Sequence, residues 1–308
     1  MAGRLPSRGI GLRPHWDGDI HPRWPPAAPG VPCLMRKVLL CPPDFYGIEY
    51  EINPWMSRAR NAETGLARSQ WRGLHDTLQS LGCQISLIGP QPKLPDMVFT
   101  ANAGLVVGRQ FIGSNFRYSE RRGEAEHFEQ WFREHGYEPV HLPEKLFFEG
   151  EGDALFCREI LFCGYRLRSD VRAHQAIGDI LNCLVVSVEL VEARFYHLDT
   201  CFCPLPDGSA IWYPAAFDNY GQRAIRAHTR ELIEVEPDEA ARFACNAIIM
   251  GQDIVLPEAC PKLCIMLAER GYRTHALPMT EFIKAGGACK CLVLFLPQRG
   301  IPARTLFP

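Results

Sequence analysis

The chain has 308 residues, of which 47% are hydrophobic and 22% are charged, and its formal net charge is −2 at pH 7. This composition predicts a soluble globular protein with a large buried core, organised as one big domain or two ordinary ones. The chain lacks the basic excess of a nucleic-acid-binding protein, and its longest apolar runs have only strand length, which excludes a membrane span.

The first 34 residues differ in composition from the rest of the chain. They are rich in proline, glycine and arginine and show no hydrophobic period. Such a segment cannot bury enough apolar surface to order itself, so we expect a disordered extension at 1–34. Two alternatives remain open, a targeting peptide and a natural start at Met35, although the prolines argue against a transit helix. We expect one domain at 35–297 and a C-terminal tail at 298–308.

From residue 35 onward, strands and helices follow one another in a recurring order. Residues 37–41 and 83–88 predict two strands, joined by a helix with an apolar face. That face is formed by Leu66, Trp71, Leu74, Leu78 and Leu81. The next predicted elements are strands at 97–107 and 110–114, a helix carrying Phe128, Trp131 and Phe132, strands at 138–142, 154–157 and 160–163, a helix at 171–181 and a strand at 184–188. The same order of strands and helices recurs over 195–235 and 246–276, and a final strand at 288–296 completes the series.

These elements group into about five strand–strand–helix–strand units of roughly 50 residues each. A repeat of this kind predicts an α/β propeller-like array, in which each unit buries its face against its neighbours and the inner strands converge on one central site. A doubly wound sheet is the alternative, but it would show single strands alternating with helices.

The chain has 13 cysteines. Their odd number, their irregular spacing and the lack of a secretory segment argue against a disulfide framework and favour reduced thiols in the cytoplasm. Three close pairs could still hold zinc: Cys201 and Cys203, Cys260 and Cys264, and Cys289 and Cys291. We expect neither a metal nor a cofactor, because the C-x-C pairs fall in strand-like segments and the glycine patterns of nucleotide-binding loops are incomplete.

Four polar clusters interrupt segments that are otherwise apolar. The first, at 94–104, contains Asp96 and Asn102, for which a turn aspartate and a capping asparagine are the structural alternative. The second, at 147–156, is flanked by aromatic residues and is typical of a site that holds a cation or orients a base. Its three acids are Glu149, Glu151 and Asp153.

The other two clusters carry a histidine and two cysteines. In the third, at 194–203, His197 and Asp199 would share a face of a strand, so that the carboxylate stabilises a protonated imidazole for general acid–base catalysis. In the fourth, at 285–294, two glycines precede Cys289 and Cys291. Cys291 would lie at the mouth of a buried strand with its thiol facing a pocket, and an inert buried cysteine is the alternative.

Together the clusters supply a nucleophile, an acid–base group and several carboxylates. Carboxylates raise the pKa of a nearby thiol unless they bind a positive group from the substrate, and a protonated His197 could also compensate them. We therefore expect a planar cationic small molecule as the substrate, and guanidinium suits paired contacts with carboxylates. Neither nucleic acid nor a membrane is expected as a partner, and a homo-oligomer is compatible with the sequence.

Seven segments resemble the guanidino-group-modifying superfamily. They are residues 52–56, 94–106, 148–155, 195–205, 212–218, 244–247 and 280–292. The resemblance implies the pentein fold, a five-bladed α/β propeller built from ββαβ repeats with pseudo-fivefold symmetry. The chain resembles arginine dihydrolases more closely than dimethylarginine dimethylaminohydrolases or arginine deiminases.

The resemblance also implies catalytic roles. Cys291 rather than Cys289 would be the nucleophile, because the cysteine of the family immediately precedes the leucine that begins the final strand. His197 would be the general acid–base, and Glu149 would orient it, with Glu151 as the alternative to Glu149.

Further residues are implied to bind the substrate. They are Asp96 and Asp199 for the guanidinium, Phe99 for the pocket wall, Arg121 and Arg168 for the α-carboxylate, and Asn53 in a motif of the dihydrolase branch. Asn102 departs from the deiminase-like and dimethylaminohydrolase-like pattern, which has an aspartate there, and agrees with dihydrolase-like members.

The predicted reaction is therefore the hydrolysis of L-arginine to ornithine, ammonia and carbon dioxide. The alternatives are a deiminase or a dimethylarginine hydrolase, which would give citrulline, and a non-catalytic binding protein of the same fold.

Overall fold

The structure, a computed structural model, describes residues 36–143 and 145–296. The predicted extension at 1–34 and the predicted tail at 298–308 lie outside the described residues. The strands in this part of the chain are Lys37–Leu40 (β1), Gln84–Leu87 (β2), Gly104–Val107 (β3), Gln110–Gly113 (β4), Glu138–Val140 (β5), Ala154–Cys157 (β6), Ile160–Tyr165 (β7), Leu184–Glu189 (β8), Phe202–Pro204 (β9), Ala210–Trp212 (β10), Leu232–Glu234 (β11), Ile248–Met250 (β12), Asp253–Pro257 (β13), Arg273–Leu277 (β14) and Leu294–Leu296 (β15). The α-helices are Thr64–Ser80 (α1), Ser119–Arg122 (α2), Glu124–Glu134 (α3), Val171–Leu181 (α4), Asn219–His228 (α5), Pro237–Ala240 (α6), Pro261–Ala268 (α7) and Thr280–Ile283 (α8).

The described strands form five three-stranded sheets, with the orders β15-β1-β2, β3-β4-β5, β6-β7-β8, β9-β10-β11 and β12-β13-β14. In each sheet the first two strands are antiparallel, and the third is parallel to the second. At least one helix lies between the second and third strands of every sheet. This is the predicted strand–strand–helix–strand repeat, and it confirms the five-bladed α/β propeller over the doubly wound alternative.

The two ends of the described chain meet in one sheet. Strand β15 pairs antiparallel with β1, so that Val38 lies opposite Phe295. The last strand thereby completes the first blade and closes the ring through hydrogen bonds. Closure also fixes the segment just before β15, which carries Cys291.

Each long helix packs on its sheet through one apolar face. In α3, Phe128, Trp131 and Phe132 are buried, and the ring of Phe132 stacks on that of Phe111 in β4 with 3.7 Å between centroids. Burying one such side chain stabilises the fold by roughly 2–3 kcal/mol. None of the described helices has the length and apolar character needed to cross a bilayer.

The inner strands are the first in each sheet order given above, namely β15, β3, β6, β9 and β12. Four of them are preceded by short 3-10 turns. The turns are Thr100–Ala103 before β3, Gly150–Gly152 before β6, Leu198–Thr200 before β9 and Lys290–Leu292 before β15. The predicted strands at 97–107 and 288–296 therefore begin later than expected, at β3 and β15. The prediction that His197 and Asp199 share a strand face is also wrong, because both belong to the turn before β9.

The physical reason lies in how the two conformations direct side chains. A strand sends successive side chains to two opposite faces, whereas a 3-10 turn spreads them about 120° apart. Neighbouring polar residues in a turn can therefore reach partners in different blades. A hydrogen-bonded turn also precedes β12, so all five inner strands begin in this way.

The turn at Gly150 tolerates no side chain. Gly150 has φ of +61°, and a Cβ there would lie 2.6 Å from the backbone nitrogen of Gly104 and 2.7 Å from the carbonyl oxygen of Ala101. Gly82 has φ of +80°, but a Cβ there would meet nothing within 4 Å. Alanine substitutions at Gly150 and Gly82 therefore separate the effect of backbone strain from that of steric crowding.

We predict that Gly150→Ala lowers the free energy of unfolding by at least about 3 kcal/mol, because it adds a clash with two backbone segments to the strain. Gly82→Ala carries only the left-handed strain and should cost about 1–2 kcal/mol. Urea unfolding of the two variants measures the difference. Equal losses would show that the 150–152 turn is not packed as described.

Candidate active site

Cys291 lies in the turn before β15, and its thiol makes two polar contacts. Sγ lies 3.3 Å from Oδ2 of Asp199 and 3.1 Å from Nδ2 of Asn246. Oδ1 of Asn246 also accepts the Cys291 N–H at 3.2 Å. Burial raises the pKa of the Cys291 thiol well above its ordinary value, and the charge of Asp199 raises it further. The thiol is therefore protonated at neutral pH until a positive group offsets Asp199.

The neighbouring Cys289 has a different environment. Both cysteines belong to the apolar cluster that includes Met279 and Phe282, but Cys289 is fully buried in it, and burial raises the pKa of its thiol above the ordinary value. Of the two cysteines, Cys291 is the one that lines the central cavity. The geometry thus separates two residues that look alike in the sequence.

His197 is held by a buried carboxylate. Its Nε2 lies 2.7 Å from Oε2 of Glu149, and the same oxygen accepts a hydrogen bond from Arg168 at 3.0 Å. Burial alone would raise the pKa of Glu149, but Arg168 and His197 outweigh burial, and the net pKa lies well below the usual value. An ionised Glu149 fixes a proton on Nε2 and leaves Nδ1 as the nitrogen that can exchange one.

Glu151, the alternative partner for His197, points elsewhere. Its carboxylate accepts a hydrogen bond from Nζ of Lys290 at 2.8 Å. The geometry therefore pairs Glu149 with His197 and pairs Glu151 with the segment that carries Cys291.

Asn102 lies between Arg121 and His197. Oδ1 of Asn102 accepts a hydrogen bond from Nη1 of Arg121 at 2.8 Å, which turns its Nδ2 toward Nδ1 of His197 at 3.5 Å. Arg121 is held in turn by Glu124, with two contacts of 2.8 Å. The amide of Asn102 therefore presents an N–H group to Nδ1 of His197.

Asp96 and Asp199 each keep one unpaired oxygen. Both residues are almost fully buried, at 2% and 1% exposure. Their Oδ1 atoms have no hydrogen-bond partner among the described residues. Burial raises the pKa of Asp96, with Arg121 opposing it, and burial raises the pKa of Asp199 to about 6, with Lys290 opposing it. Since buried polar atoms are nearly always paired, an unpaired carboxylate oxygen on each of these residues indicates a ligand with N–H donors.

These side chains surround a narrow central cavity. Its wall is formed by Asn53, Met56, Asp96, Phe99, Asn102, Arg121, Arg168, Tyr196, Ala285, Gly287 and Cys291. Seven of the predicted site residues are in this wall. The other three, His197, Glu149 and Asp199, lie behind it and connect to the wall through Asn102, Arg168 and Cys291.

The cavity adjoins a wider outer space that shares Asn53, Met56, Arg168 and Tyr196 with the inner wall. Asn53 shapes the boundary between them, because its amide donates to the carbonyl of Ala285 at 3.0 Å and accepts from backbone N–H groups of the following turn. Its side chain therefore holds the wall in place.

The two arginines differ in how far their donors are used. Among the described residues, Arg121 directs N–H groups to Glu124, Asn102 and the carbonyl of Asp96. Arg168 directs single groups to Glu149 and the carbonyl of Ile52. Arg168 also lines both spaces, so it is the better placed of the two to bind a carboxylate that enters from outside.

Sequence reasoning had not assigned roles to several residues of the site. Asn246, Tyr196 and Met56 contact the cavity or the thiol, and Lys290 pairs with Glu151 next to Cys291. Asn246 could have been found, because it occupies the position before β12 that the other polar clusters occupy before their inner strands. Within residues 36–143 and 145–296, no three histidine, cysteine or acidic side chains are grouped as a metal site requires.

Comparison with known proteins identifies the family. The family model described as N,N dimethylarginine dimethylhydrolase, eukaryotic, matches residues 51–295. The N(G),N(G)-dimethylarginine dimethylaminohydrolase of Mycobacterium tuberculosis is 38% identical over 259 residues, which cover 84% of this chain and 85% of that protein. The chain therefore belongs to the dimethylarginine dimethylaminohydrolase family, and the resemblance to guanidino-group-modifying enzymes is confirmed.

A second relative has a different reaction in its name. The bifunctional arginine dihydrolase/ornithine cyclodeaminase ArgZ of Synechocystis sp. is 44% identical over 271 residues, or 86% of this chain. The chain spans 38% of the length of that relative. The structure of the N-terminal domain of ArgZ bound to its substrate matches with a TM-score of 0.83 at 43% identity, covering 86% of this chain and 100% of that domain.

We predict that Asp199→Asn speeds alkylation of Cys291 by iodoacetamide at pH 7 by at least about tenfold, because removing the carboxylate charge lowers the pKa of the thiol. Mass spectrometry of the Cys291 peptide measures the rate, with Cys183 in the same sample as an internal reference. An unchanged or slower reaction would mean that Asp199 does not control the thiol.

Proposed function

We propose that this chain hydrolyses the guanidinium group of L-arginine through a covalent adduct on Cys291, giving ornithine, ammonia and carbon dioxide. The observation that carries the proposal is the pair of buried carboxylates, Asp96 and Asp199, each with an unpaired oxygen, beside a buried thiol. A guanidinium group supplies both the N–H donors and the positive charge that this arrangement lacks. The identity with ArgZ, a protein named as an arginine dihydrolase, supports arginine as the substrate.

In the proposed complex, the guanidinium lies between Asp96 and Asp199 against the ring of Phe99. A Cβ at Gly287 would lie 2.5 Å from the Phe99 ring and 3.2 Å from Cβ of Cys291, so a glycine there keeps the path to the thiol open. Arg168, at the junction of the inner and outer spaces, would bind the α-carboxylate. The charged ends of arginine are thereby bound at two different depths.

The first step forms a bond between Sγ of Cys291 and the guanidinium carbon. The positive charge of the bound substrate offsets Asp199, which lowers the pKa of the thiol and allows it to lose its proton. Nδ1 of His197 takes up the thiol proton, the thiolate attacks, a C–N bond breaks, and the same proton passes from Nδ1 to the departing ammonia. An amidino-thioether of Cys291 remains, and Glu149 stays ionised to hold the imidazole throughout.

Water then releases the first product. His197 takes a proton from water, which attacks the amidino carbon, and the C–S bond breaks to regenerate the thiol and leave a ureido group, as in citrulline. A second passage through the same steps would release another ammonia and leave a carbamate on the side-chain nitrogen, which loses carbon dioxide to give ornithine. The balance is one arginine and two waters to one ornithine, two ammonia and one carbon dioxide.

Asn102 supports the second passage. A neutral ureido group cannot form charged pairs with a full set of carboxylates as guanidinium does, so it would leave an entirely anionic site quickly. An amide at position 102 adds a neutral donor and acceptor that can retain it. Arg121 fixes the orientation of that amide.

Hydrolysis of a methylated arginine to citrulline is the second candidate. The identity with the Mycobacterium tuberculosis dimethylarginine dimethylaminohydrolase favours it. The two reactions share the first adduct and differ in the amine that departs and in whether the ureido product is attacked again. An arginine deiminase would stop at the same citrulline product.

The compartment that we propose is the cytoplasm. The twelve cysteines within the described residues are free thiols, and the proposed nucleophile must remain reduced to react.

Incubation of the purified protein with L-arginine should yield ornithine and two ammonia per arginine consumed, measured by chromatography and an ammonia assay. Accumulation of citrulline with one ammonia per arginine would contradict the dihydrolase reaction. Turnover of dimethylarginine in preference to arginine would support the second candidate instead.

Cys291→Ser should lower kcat by at least about a thousandfold, because the alcohol is a far weaker nucleophile at this site. Cys289→Ser is the matched control and should retain activity, since that residue does not line the cavity. Comparable activity in the two variants would overturn the covalent mechanism.

Asn102→Asp should turn the enzyme toward citrulline, with one ammonia released per arginine, because an anionic site retains the neutral ureido group poorly. Asn102→Ala separates the added charge from the lost hydrogen bond to Arg121. The measured quantity is the ratio of citrulline to ornithine at partial conversion. An unchanged ratio in Asn102→Asp would remove position 102 as a determinant of the product.

A further inference from the structure

Asn246 contacts the nucleophile, and the reaction steps above give it no role. It lies just before β12 and is fully buried. Its carboxamide makes three contacts with the turns of two other blades. Oδ1 accepts the N–H of Cys291 at 3.2 Å, and Nδ2 lies 3.0 Å from the carbonyl oxygen of Asp199 and 3.1 Å from Sγ of Cys291. The side chain therefore joins the turn before β9 to the turn before β15.

These contacts allow one orientation of the amide. The N–H of Cys291 needs an acceptor and the carbonyl of Asp199 needs a donor, so Oδ1 faces Cys291 and Nδ2 faces Asp199. An amide nitrogen carries two hydrogens, and the second one is available to Sγ. The backbone carbonyl of Asn246 also accepts the N–H of Lys290 at 3.3 Å. Asn246 is thus held on several sides as a hydrogen-bond donor to the sulfur atom.

Asp199 and Asn246 have opposite effects on the thiol. The carboxylate of Asp199, 3.3 Å from Sγ, can accept the S–H proton and favours the thiol, whereas an N–H donor favours the thiolate. Burial and Asp199 raise the pKa of Cys291, and the contact with Asn246 lowers it. The other ionisable side chains in the cavity wall and in the two turns include Asp96, Arg121, Arg168, Tyr196, His197 and Lys290.

The sulfur atom carries a negative charge at two points of the proposed reaction. It is a thiolate before it attacks the guanidinium carbon. It becomes a thiolate again when the C–S bond of the adduct breaks and the electron pair of that bond returns to sulfur. A donor that other hydrogen bonds already orient toward this atom stabilises the charge without any reorganisation when the charge appears. Asn246 meets this requirement because its Oδ1 and Nδ2 are both fixed by backbone groups.

We propose that Asn246 is a further catalytic residue, whose Nδ2–H group stabilises the thiolate of Cys291 during attack and during release of the adduct. It contacts the reacting sulfur atom and does not line the cavity, so its effect falls on the chemical steps rather than on substrate binding. The inference rests on the proposed function, since it takes Cys291 as the nucleophile. It gives Asn246 a role distinct from that of Asn102, which faces the imidazole.

Two substitutions separate donation to sulfur from support of the backbone. Asn246→Asp keeps an oxygen that can accept the N–H of Cys291 but replaces the donor to Sγ by a carboxylate. Asn246→Ala removes both contacts and adds no charge. If donation to sulfur is the role of Asn246, the aspartate variant has the smaller fraction of thiolate. If Asn246 only supports the turn, the alanine variant is the more disturbed of the two, and its loosened turn exposes the thiol to reagents.

The test measures alkylation of Cys291 by iodoacetamide at pH 9 without arginine, followed by mass spectrometry with Cys183 as the internal reference. Asn246→Ala should slow the reaction by at least about fivefold and Asn246→Asp by at least about fiftyfold, because one pKa unit is a tenfold change in thiolate. Asn61→Asp is the matched control. It makes the same chemical change at an exposed position where Oδ1 accepts the N–H of Ile48, and it should leave the rate unchanged.

Turnover of L-arginine provides the second measurement. kcat should fall in the same order, whereas Asn246→Ala should change the dissociation constant for arginine, measured in a Cys291→Ala background, by less than about twofold.

An unchanged or faster alkylation in Asn246→Ala, a smaller loss in Asn246→Asp than in Asn246→Ala, or an unchanged kcat in both variants would overturn the inference. If one variant does not fold, the direction of change in the other decides. If the parent does not turn over arginine, the proposed function falls, and the alkylation rates still show whether Asn246 controls the thiol.

Discussion

The site depends on charged groups that are buried together where the five blades meet. A turn before each inner strand carries polar side chains into a region with little access to water, so each charge there needs an opposite charge or a hydrogen bond. Glu149 shows the consequence. Its carboxylate binds Arg168 and His197, and its pKa lies below the usual value although burial alone would raise it. The orientation of the imidazole is thus fixed by contacts between blades.

The same constraint distinguishes buried acids that have a partner within the protein from buried acids that keep an unpaired oxygen. Glu124 and Glu151 are satisfied by Arg121 and Lys290. Asp96 and Asp199 each keep an unpaired oxygen, although leaving a buried acceptor unpaired costs about 1–3 kcal/mol. A protein selected for stability alone would lose these groups. In the proposed complex a cationic ligand offsets this cost and lowers the pKa of the thiol, which couples binding to activation of the nucleophile.

The regular elements of the blades were predictable from the sequence, and the turns between them were not. The helix predicted at 171–181 is observed at Val171–Leu181, because an amphipathic period is a local property. The sequence pattern of the polar residues before β3, β9 and β15 is equally compatible with a strand, since residues two apart, such as His197 and Asp199, share a face of a strand. Only packing at the centre of the ring requires the tighter turn, in which neighbouring side chains diverge.

The sequence by itself determined the fivefold repeat and the kinds of residue at the site, because both are expressed in patterns a few residues long. The tertiary structure decided which residues become partners. Glu149 rather than Glu151 contacts His197 across 48 positions, Asn246 contacts Cys291 across 45, and Lys290 pairs with Glu151 across 139. These pairs are joined by the closure of the ring and by the direction of side chains in 3-10 turns, and no local pattern records either of them.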